Sequence, residues 1–176
     1  MIYYSIPYST EKNLGKYYNA TMRTLPREDD FACFVDGDTI FTTPFYGYVI
    51  ENVVKENPKV SCFTCYTNRV ACPEQIAPGV DVDSNDMQYH RNFGSMLETV
   101  YTTSCVDITK TKSGHYMSGC MILIQKGLWK RMGGFDEKGM NLFFVANPSS
   151  PVSRNLCRLN MKTGKMIVAT PGDNVH

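Results

Sequence analysis

The hydrophobic and polar positions of the chain divide it into stretches with helical spacing and stretches that are continuously apolar. Apolar positions three or four residues apart predict a helix from Leu14 to Leu25, which Pro26 ends. The run Phe31–Val35 is apolar throughout and bounded by polar residues, which is typical of a strand covered on both faces. Further predicted strands are Ile2–Ile6, Lys59–Tyr66, Tyr116–Gln125 and Lys165–Ala169, and further predicted helices are Pro44–Glu56, Tyr89–Thr99 and Lys126–Met132.

Strands that alternate with helices predict an α/β fold with a mostly parallel central sheet flanked by helices. With 176 residues the chain fits a single domain over residues 1–176. Ligands of such a sheet bind beyond the C-terminal ends of its strands. We therefore expect Pro7 and Tyr8, the Asp36–Asp38 turn and the loop after Tyr66 to meet at one edge. The segment 67–90 is rich in proline and aspartate, and we interpret it as a mobile or functional loop.

Composition and charge bear on the classes of partner. A net charge of +1 without any block of like charges does not favour binding to nucleic acid or to an anionic membrane. No apolar run approaches the roughly 20 residues that span a bilayer, and the first residues lack the pattern of a signal peptide. We therefore predict a cytoplasmic protein without a membrane span, and the aromatic content of 12% would suit a homodimer.

The seven cysteines indicate reduced, mostly buried thiols, the alternative being a metal or redox role. Cys62 and Cys65 form a C-x-x-C pair, but no second cysteine pair or histidine pair follows at the spacing of a zinc site. Because both cysteines fall in a strand-like stretch, we expect their side chains to point to opposite faces of the sheet.

Asp36 and Asp38 are the pair of polar residues with the clearest chemical meaning. Two carboxylates separated by one glycine, directly after a buried strand, repel each other and lose hydration unless a cation neutralises them. A hard divalent ion would do so through oxygen ligands and would keep open positions for a phosphate. Gly37 would let the backbone turn and a ligand approach. The alternative is an ordinary turn whose carboxylates meet only water.

Three sequence blocks, taken in order, resemble a small GT-A glycosyltransferase of the family-two type. The blocks are Asn13-Leu14-Gly15-Lys16 through Asn19, which resembles the family's N-x-G…N helix; Asp36-Gly37-Asp38, which resembles its D-x-D motif; and Ser118–Ile124 with Trp129 and Gly133-Gly134-Phe135-Asp136-Glu137, which resembles its acceptor-side block. Together they cover about residues 2 to 137. The order and spacing of three blocks are more specific than any one motif.

The resemblance implies a GT-A fold and a reaction. A nucleotide-sugar-dependent hexosyltransferase of this kind would move a sugar from a UDP- or GDP-linked donor to a hydroxyl of a carbohydrate or glycolipid acceptor. Asp36 and Asp38 would hold Mn²⁺ or Mg²⁺. Many GT-A enzymes place a further metal-binding histidine near the C-terminus, and His176 matches that position. The alternative for His176 is a terminal residue without a role.

The resemblance also assigns roles to single residues. The nucleotide-sugar-binding residues would be Pro7, Tyr8, Asn13, Gly15, Lys16, Asn19, Asp36, Arg69, Ser118 and Gly119. Of these, Lys16 could contact ribose or phosphate, and Arg69 could contact phosphate or donor sugar or be a plain surface residue. Asp136 and Glu137 are candidates for acceptor recognition or for the general base, the alternative being turn and helix-cap chemistry. We interpret Trp129 as a core residue rather than a sugar platform.

The chain departs from the family in two places. The usual stretch between the first strand and the N-x-G helix, which carries a strand and an acidic residue for the base, is missing. No acidic pair follows Glu137, since residues 143–149 read Phe-Phe-Val-Ala-Asn-Pro-Ser. Either Asp136 or Glu137 substitutes, or the mechanism differs, or the chain binds a nucleotide-sugar without turnover. A third hypothesis is a phosphohydrolase of the haloacid dehalogenase type, whose motif normally lies on the first strand and needs a later lysine and acidic pair.

Overall fold

The computed structural model describes residues 1–8, 10, 13–100, 105–108, 117–138, 141–146, 155–160 and 165–168. The helices of this part of the chain are α1 Leu14–Thr24, α2 Tyr46–Glu56, α3 Met87–Val100 and α4 Lys126–Met132. Its strands are β1 Ile2–Ser5, β2 Phe31–Val35, β3 Cys62–Phe63, β4 Met121–Gln125, β5 Asn141–Ala146, β6 Asn155–Asn160 and β7 Met166–Val168. A short 3₁₀ helix, Pro73–Gln75, lies between β3 and α3.

The elements predicted before residue 133 are all present, but some of their bounds differ. The strands predicted at Lys59–Tyr66 and Tyr116–Gln125 are shorter. β3 is an edge strand that pairs with β4 over two residues only, and β4 consists of the five residues that pair with β2. α2 begins at Tyr46 and not at Pro44. The reason is a preceding turn, in which the hydroxyl of Thr43 accepts a hydrogen bond from the backbone N–H of Phe45.

β1 to β4 form a four-stranded mixed sheet in the order β1-β2-β4-β3. β1 and β2 are parallel, whereas β4 is antiparallel to both β2 and β3. β1, β2 and β3 therefore run in one direction and β4 runs against them. The predicted α/β sheet with flanking helices is confirmed, but the prediction of a mostly parallel sheet is corrected, since two of the three strand pairings are antiparallel.

β4 is antiparallel to its neighbours because the chain returns to the sheet at the edge where β2 ends. Residues 117–120 lie where β2 ends, since the backbone N–H of Asp36 donates a hydrogen bond of 3.0 Å to the carbonyl of Cys120. A strand that starts at this edge can only run back toward the other one. The apolar run of β4 predicted burial on both faces, but such a run carries no information about strand direction.

Helices cover both faces of the sheet. On one face Met22 of α1 and Leu128 of α4 belong to the same core cluster as Phe34. On the other face Ile50 of α2 packs against the cluster that contains Cys33. Successive residues of β2 thus enter two different cores, and all five residues of the strand are buried. This arrangement explains why the strand has no polar position.

Cys62 and Cys65 lie on opposite faces of the sheet, as predicted. Cys62 packs against the cluster on the α1 side, and Cys65 packs against the cluster on the α2 side. Both are free thiols, as are Cys33, Cys72, Cys105 and Cys120.

The segment after β3, interpreted from sequence as a mobile or functional loop, is fastened to the sheet by Gln75. This side chain is 1% exposed. Its amide nitrogen donates to the hydroxyl of Thr64 at 2.7 Å and to the carbonyl of Ser118 at 3.2 Å, and its amide oxygen accepts from the backbone N–H of Ser118 at 2.6 Å. Gln75 therefore joins the loop to the residues that precede β4, which a count of prolines and aspartates could not predict.

β5, β6 and β7 form a separate three-stranded antiparallel sheet. The strand predicted at Lys165–Ala169 is confirmed by β7, whereas β5 and β6 were not predicted because their residues show no clear strand or helix period. That residues 1–176 form one domain stays a prediction. Among the described residues, no helix combines the length and apolar character needed to cross a membrane.

Candidate functional site

The predicted convergence of strand ends is confirmed at one edge of the mixed sheet, which we call the carboxyl edge because β1, β2 and β3 all end there. β1 and β2 are paired with Ser5 opposite Phe34, so the residues after each strand are neighbours. A Cβ atom on Gly37 would lie 3.7 Å from Cγ2 of Ile6. The hydrogen bond between Asp36 and Cys120 adds the start of β4 to the same edge.

A tight turn holds Asp36 and Asp38 at the carboxyl edge. Besides the bond from Asp36 to Cys120, the backbone N–H of Thr39 donates to the carbonyl of Asp36 at 3.0 Å. The hydroxyl of Thr39 donates to the carbonyl of Cys120 at 3.3 Å. The main chain of the turn is thus fixed, while neither carboxylate accepts a hydrogen bond from the residues that the structure describes.

The ionised form of Asp36 is disfavoured in this position. Burial is the main cause of a raised pKa of its carboxyl group, and the negative charge of Asp38 is the second. The pKa of the Tyr18 hydroxyl on α1 is also raised, by burial first and by the charge of Asp36 second. A bound cation would relieve the repulsion within such a carboxylate pair.

The donor set fits a hard divalent cation through two oxygen ligands. Carboxylates are the ligands that Mg²⁺ takes in sites completed by water and substrate phosphates. Over the described ranges, no group of three or more His, Cys, Asp or Glu side chains could hold a metal ion. His176, the predicted third ligand, lies outside the described residues. The metal site therefore stays a prediction that rests on Asp36 and Asp38.

A cavity of about 430 Å³ borders the turn on the α2 side of the sheet. Asp38 lines it from the turn, Thr64 and Asn68 line it from the segment after β3, and Arg91 lines it from α3. Most of the remaining lining consists of apolar side chains from α2, α3 and the sheet. A cavity of this size with few polar groups is typical of a small-molecule site.

Asn19, predicted to lie near the base and ribose, is instead bonded on all sides within the protein. Its side chain is 4% exposed. The amide oxygen accepts from the indole N–H of Trp129 and from the backbone N–H of Phe135, both at 2.8 Å. The amide nitrogen donates to the carbonyl of Phe135 at 2.9 Å and to Oε1 of Glu137 at 2.6 Å. Asn19 therefore fastens α1 to the turn after α4 and has no bonding capacity left for a nucleotide.

Asn13 and Gly15 serve the same junction at the start of α1. The side-chain oxygen of Asn13 accepts from the backbone N–H of Lys16 at 3.0 Å and caps the helix, while its amide nitrogen donates to the carbonyl of Glu137 at 3.0 Å. A Cβ atom on Gly15 would collide with the carbonyl oxygen of Asp136. The residues of the N-x-G…N pattern thus form the surface of α1 against which the Gly133–Glu137 turn packs.

Lys16, another predicted donor-binding residue, is exposed on the first turn of α1.

Asp136 and Glu137 lie beside a second cavity of about 480 Å³, whose lining shares no residue with that of the first. The carboxylate of Glu137 bonds Asn19 and lies 3.7 Å from the guanidinium of Arg23. Asp136 accepts from the backbone N–H of Lys138 at 3.0 Å. Both carboxylates thus have the turn chemistry that was the alternative interpretation, and neither meets the Asp36–Asp38 turn in one cavity. Trp129 packs against the core on the α1 side, as predicted.

The other predicted donor-binding residues fall into two groups. Pro7 and Tyr8 follow β1 at the carboxyl edge, and Tyr8 is 75% exposed. Ser118 and Arg69 are instead used by the protein itself: the hydroxyl of Ser118 accepts from the backbone N–H of Cys72, and Nε of Arg69 donates to the carbonyl of Val82. Gly119 lies beside Ser118 just before β4, where the carbonyl of Cys120 meets the Asp36–Asp38 turn.

Two features of the site were not predicted from sequence. The first is the part of α3 that lines the 430 Å³ cavity, which consists of Met87, His90, Arg91, Phe93, Gly94 and Leu97. The sequence predicts a helix here, but because these residues are a mixture of polar and apolar types, their pattern does not indicate that they line a common cavity. The second is a thiol pair in the same cavity. A hydrogen bond between them lowers the pKa of Cys120 to about 7 and raises that of Cys65.

No protein-family profile, curated protein or solved structure matches this chain.

Proposed function

We propose that the chain is a metal-dependent glycosyltransferase that uses a nucleotide-diphosphate sugar. The observation that carries the proposal is the Asp36–Asp38 turn at the end of a fully buried strand. Its main chain is fixed by hydrogen bonds, yet its two carboxylates accept none from the described residues, and burial and the charge of Asp38 disfavour ionisation of Asp36. A stable fold keeps such an arrangement at a cost, and a cation would offset it.

The surroundings of the turn support a nucleotide-sugar as the ligand. The turn lies where β1, β2 and β3 end, which is where ligands of α/β sheets bind. Tyr8, which follows β1 at the same edge, offers an exposed aromatic ring, and Asp38 lines the 430 Å³ cavity. A divalent ion on Asp36 and Asp38 would supply positive charge to a diphosphate leaving group. Asp36 and Asp38 themselves would hold that ion.

The test is thermal stabilisation by UDP, GDP, CMP and ADP, each with and without Mn²⁺. A ligand at about 100 times its dissociation constant stabilises by about 2.7 kcal/mol, which is about 5–10 °C for a chain of this size. We expect such a shift with one diphosphate, only when Mn²⁺ is present, and its loss in Asp38→Ala. The matched control is Asp83→Ala, because Asp83 is an exposed acid whose carboxylate has no partner among the described residues. Absence of a shift with every nucleotide would overturn the proposal.

A second candidate function is a nucleotide-sugar-binding module without turnover. The bonding of Glu137 to Asn19 and Arg23 favours it, because a carboxylate held in this way is poorly placed to act as a general base at the Asp36–Asp38 turn. Release of free sugar from the donor, or transfer to an acceptor, would exclude it. Metal-dependent nucleotide binding without either product would establish it over the enzyme.

A further inference from the structure

The 430 Å³ cavity has an apolar interior. Val53 of α2, Phe63 of β3 and Leu97 of α3 line it, together with Leu123 from the middle of β4. Its volume corresponds to about 14 water-sized groups. That volume would take an alkyl chain of about six to eight carbons or an aryl group, with some space remaining for part of a polar head.

The polar residues of the cavity lie toward the carboxyl edge. Asp38 and Thr42 belong to the segment after β2, and Asn68 belongs to the segment after β3. Arg91 adds a guanidinium from α3. The side chains of Asp38, Thr42 and Arg91 make no hydrogen bond or ion pair with other residues in the described ranges. A carboxylate, a hydroxyl and a guanidinium on one cavity are therefore available to a ligand.

The charges on the cavity select the kind of head group. Asp38 would repel an anionic head and Arg91 would repel a cationic one, whereas a neutral head with several hydroxyls can donate to the carboxylate and accept from the guanidinium. Thr42 can do either. Sugar hydroxyls meet these requirements.

We propose that the cavity binds a neutral amphipathic glycoside, with its alkyl or aryl group among Val53, Phe63 and Leu97 and its sugar hydroxyls at Asp38, Thr42 and Arg91. This ligand would be the acceptor, with the carboxylate of Asp38 then shared between the ion and a sugar hydroxyl. That assignment rests on the proposed glycosyltransferase function. Its binding does not, because the cavity is formed without metal or nucleotide.

The experiment measures binding of n-hexyl β-D-glucoside by calorimetry, without nucleotide or Mn²⁺. D-glucose has the head without the chain, and hexyl sulfate has the chain with an anionic head. We expect both to bind at least about tenfold more weakly than the glucoside. Equal binding of hexyl sulfate would overturn the selection of a neutral head, and equal binding of glucose would overturn the role of the apolar interior.

Two pairs of variants locate the binding. Leu97→Trp fills the cavity, whereas Met96→Trp places the same ring on a neighbouring side chain that is 50% exposed. We expect a loss of about tenfold or more in affinity for the first and less than about twofold for the second. Arg91→Ala removes the guanidinium from an exposed position and should weaken binding about tenfold, with Lys55→Ala as control. Arg91→Ala carries the test if Leu97→Trp does not fold.

Protection of thiols from alkylation provides a second readout. Cys65 and Cys120 line the cavity, whereas Cys105 is exposed elsewhere and serves as an internal reference. Hexyl glucoside should slow the reaction of iodoacetamide with Cys120 and leave the reaction of Cys105 unchanged. Unchanged alkylation of Cys120 would overturn the site. If the thermal shift with nucleotide and Mn²⁺ nevertheless persists, the acceptor site is wrong and the proposed function stands. If the glucoside binds but no nucleotide gives a thermal shift, the glycoside site stands and the proposed function is wrong.

Discussion

The two ends of β2 place a carboxylate in opposite circumstances. Asp30 precedes the strand and is fully buried, yet its oxygens accept hydrogen bonds from the backbone N–H and the guanidinium of Arg27 and from the amino group of Met1. The bond from Arg27 is the main reason why the pKa of Asp30 lies well below its usual range. Asp36 follows the strand and accepts no such bond from the described residues, and burial and Asp38 raise its pKa.

The difference separates a structural carboxylate from a candidate binding carboxylate. The protein itself supplies the positive charge and donors that Asp30 needs, so ionisation of Asp30 stabilises the fold. At the other end of the strand the protein supplies a second negative charge and fixes only the main chain. The amide of Asn19 is structural in the same sense as Asp30, because every one of its hydrogen bonds is made within the protein.

The largest expected effect comes from Asn19→Ala. The substitution leaves the indole N–H of Trp129 and the backbone N–H of Phe135 without their acceptor. Two partly buried donors left unsatisfied cost about 3 kcal/mol together, which would lower Tm by about 6–12 °C. Thermal unfolding followed by circular dichroism measures the change.

The control for this substitution is Asn85→Ala, which removes an exposed asparagine and should leave Tm within about 2 °C of the wild type. If Asn19→Ala unfolds like this control, the hydrogen bonds of Asn19 are not structural and its predicted role near the nucleotide regains support.

A smaller effect is expected from Asp30→Asn. An amide in place of the carboxylate removes the negative charge and one acceptor facing Arg27, and should lower Tm by on the order of 5 °C at pH 7. Because the pKa of Asp30 is lowered in the folded state, its contribution is complete above about pH 4 and is lost as the pH falls toward the folded-state pKa. The difference in Tm between wild type and variant should therefore shrink between pH 7 and pH 3.

Melting curves at both pH values test this prediction, with Asp83→Asn as the exposed control. A difference in Tm that stays constant down to pH 3 would show that Asp30 contributes through packing and not through its charge.

The sequence was sufficient to place β2 and the turn after it. A run of five apolar residues bounded by polar ones is typical of a buried strand, and the aspartates that follow it in the chain lie at its end. The helices with regular spacing, such as α1 and α4, were predictable for the same local reason. The direction of β4 was not predictable, because it depends on where the connection from β3 to β4, which is more than fifty residues long, returns to the sheet.

The roles of single polar residues depended on partners far away in the chain. Asn19 is bonded to Phe135, 116 residues away, and Gln75 is bonded to Ser118, 43 residues away. Local pattern marks such residues as unusual but does not say whether their partners are protein atoms or a ligand. The same uncertainty applied to Glu137, whose carboxylate is engaged by α1.

The smallest expected effect, and the one with the opposite sign, comes from Asp38→Asn. Removing this charge relieves the repulsion that raises the pKa of Asp36. Because Asp38 is exposed and solvent screens its charge, the rise in Tm of the metal-free protein should be on the order of 1 °C at pH 7. It should shrink toward pH 3, as the pH falls through the raised pKa of Asp36, because a protonated Asp36 is not repelled by Asp38. Asp83→Asn should show no rise at either pH. A fall in Tm for Asp38→Asn at pH 7 would mean that both ends of β2 hold structural carboxylates, and the contrast between them would disappear.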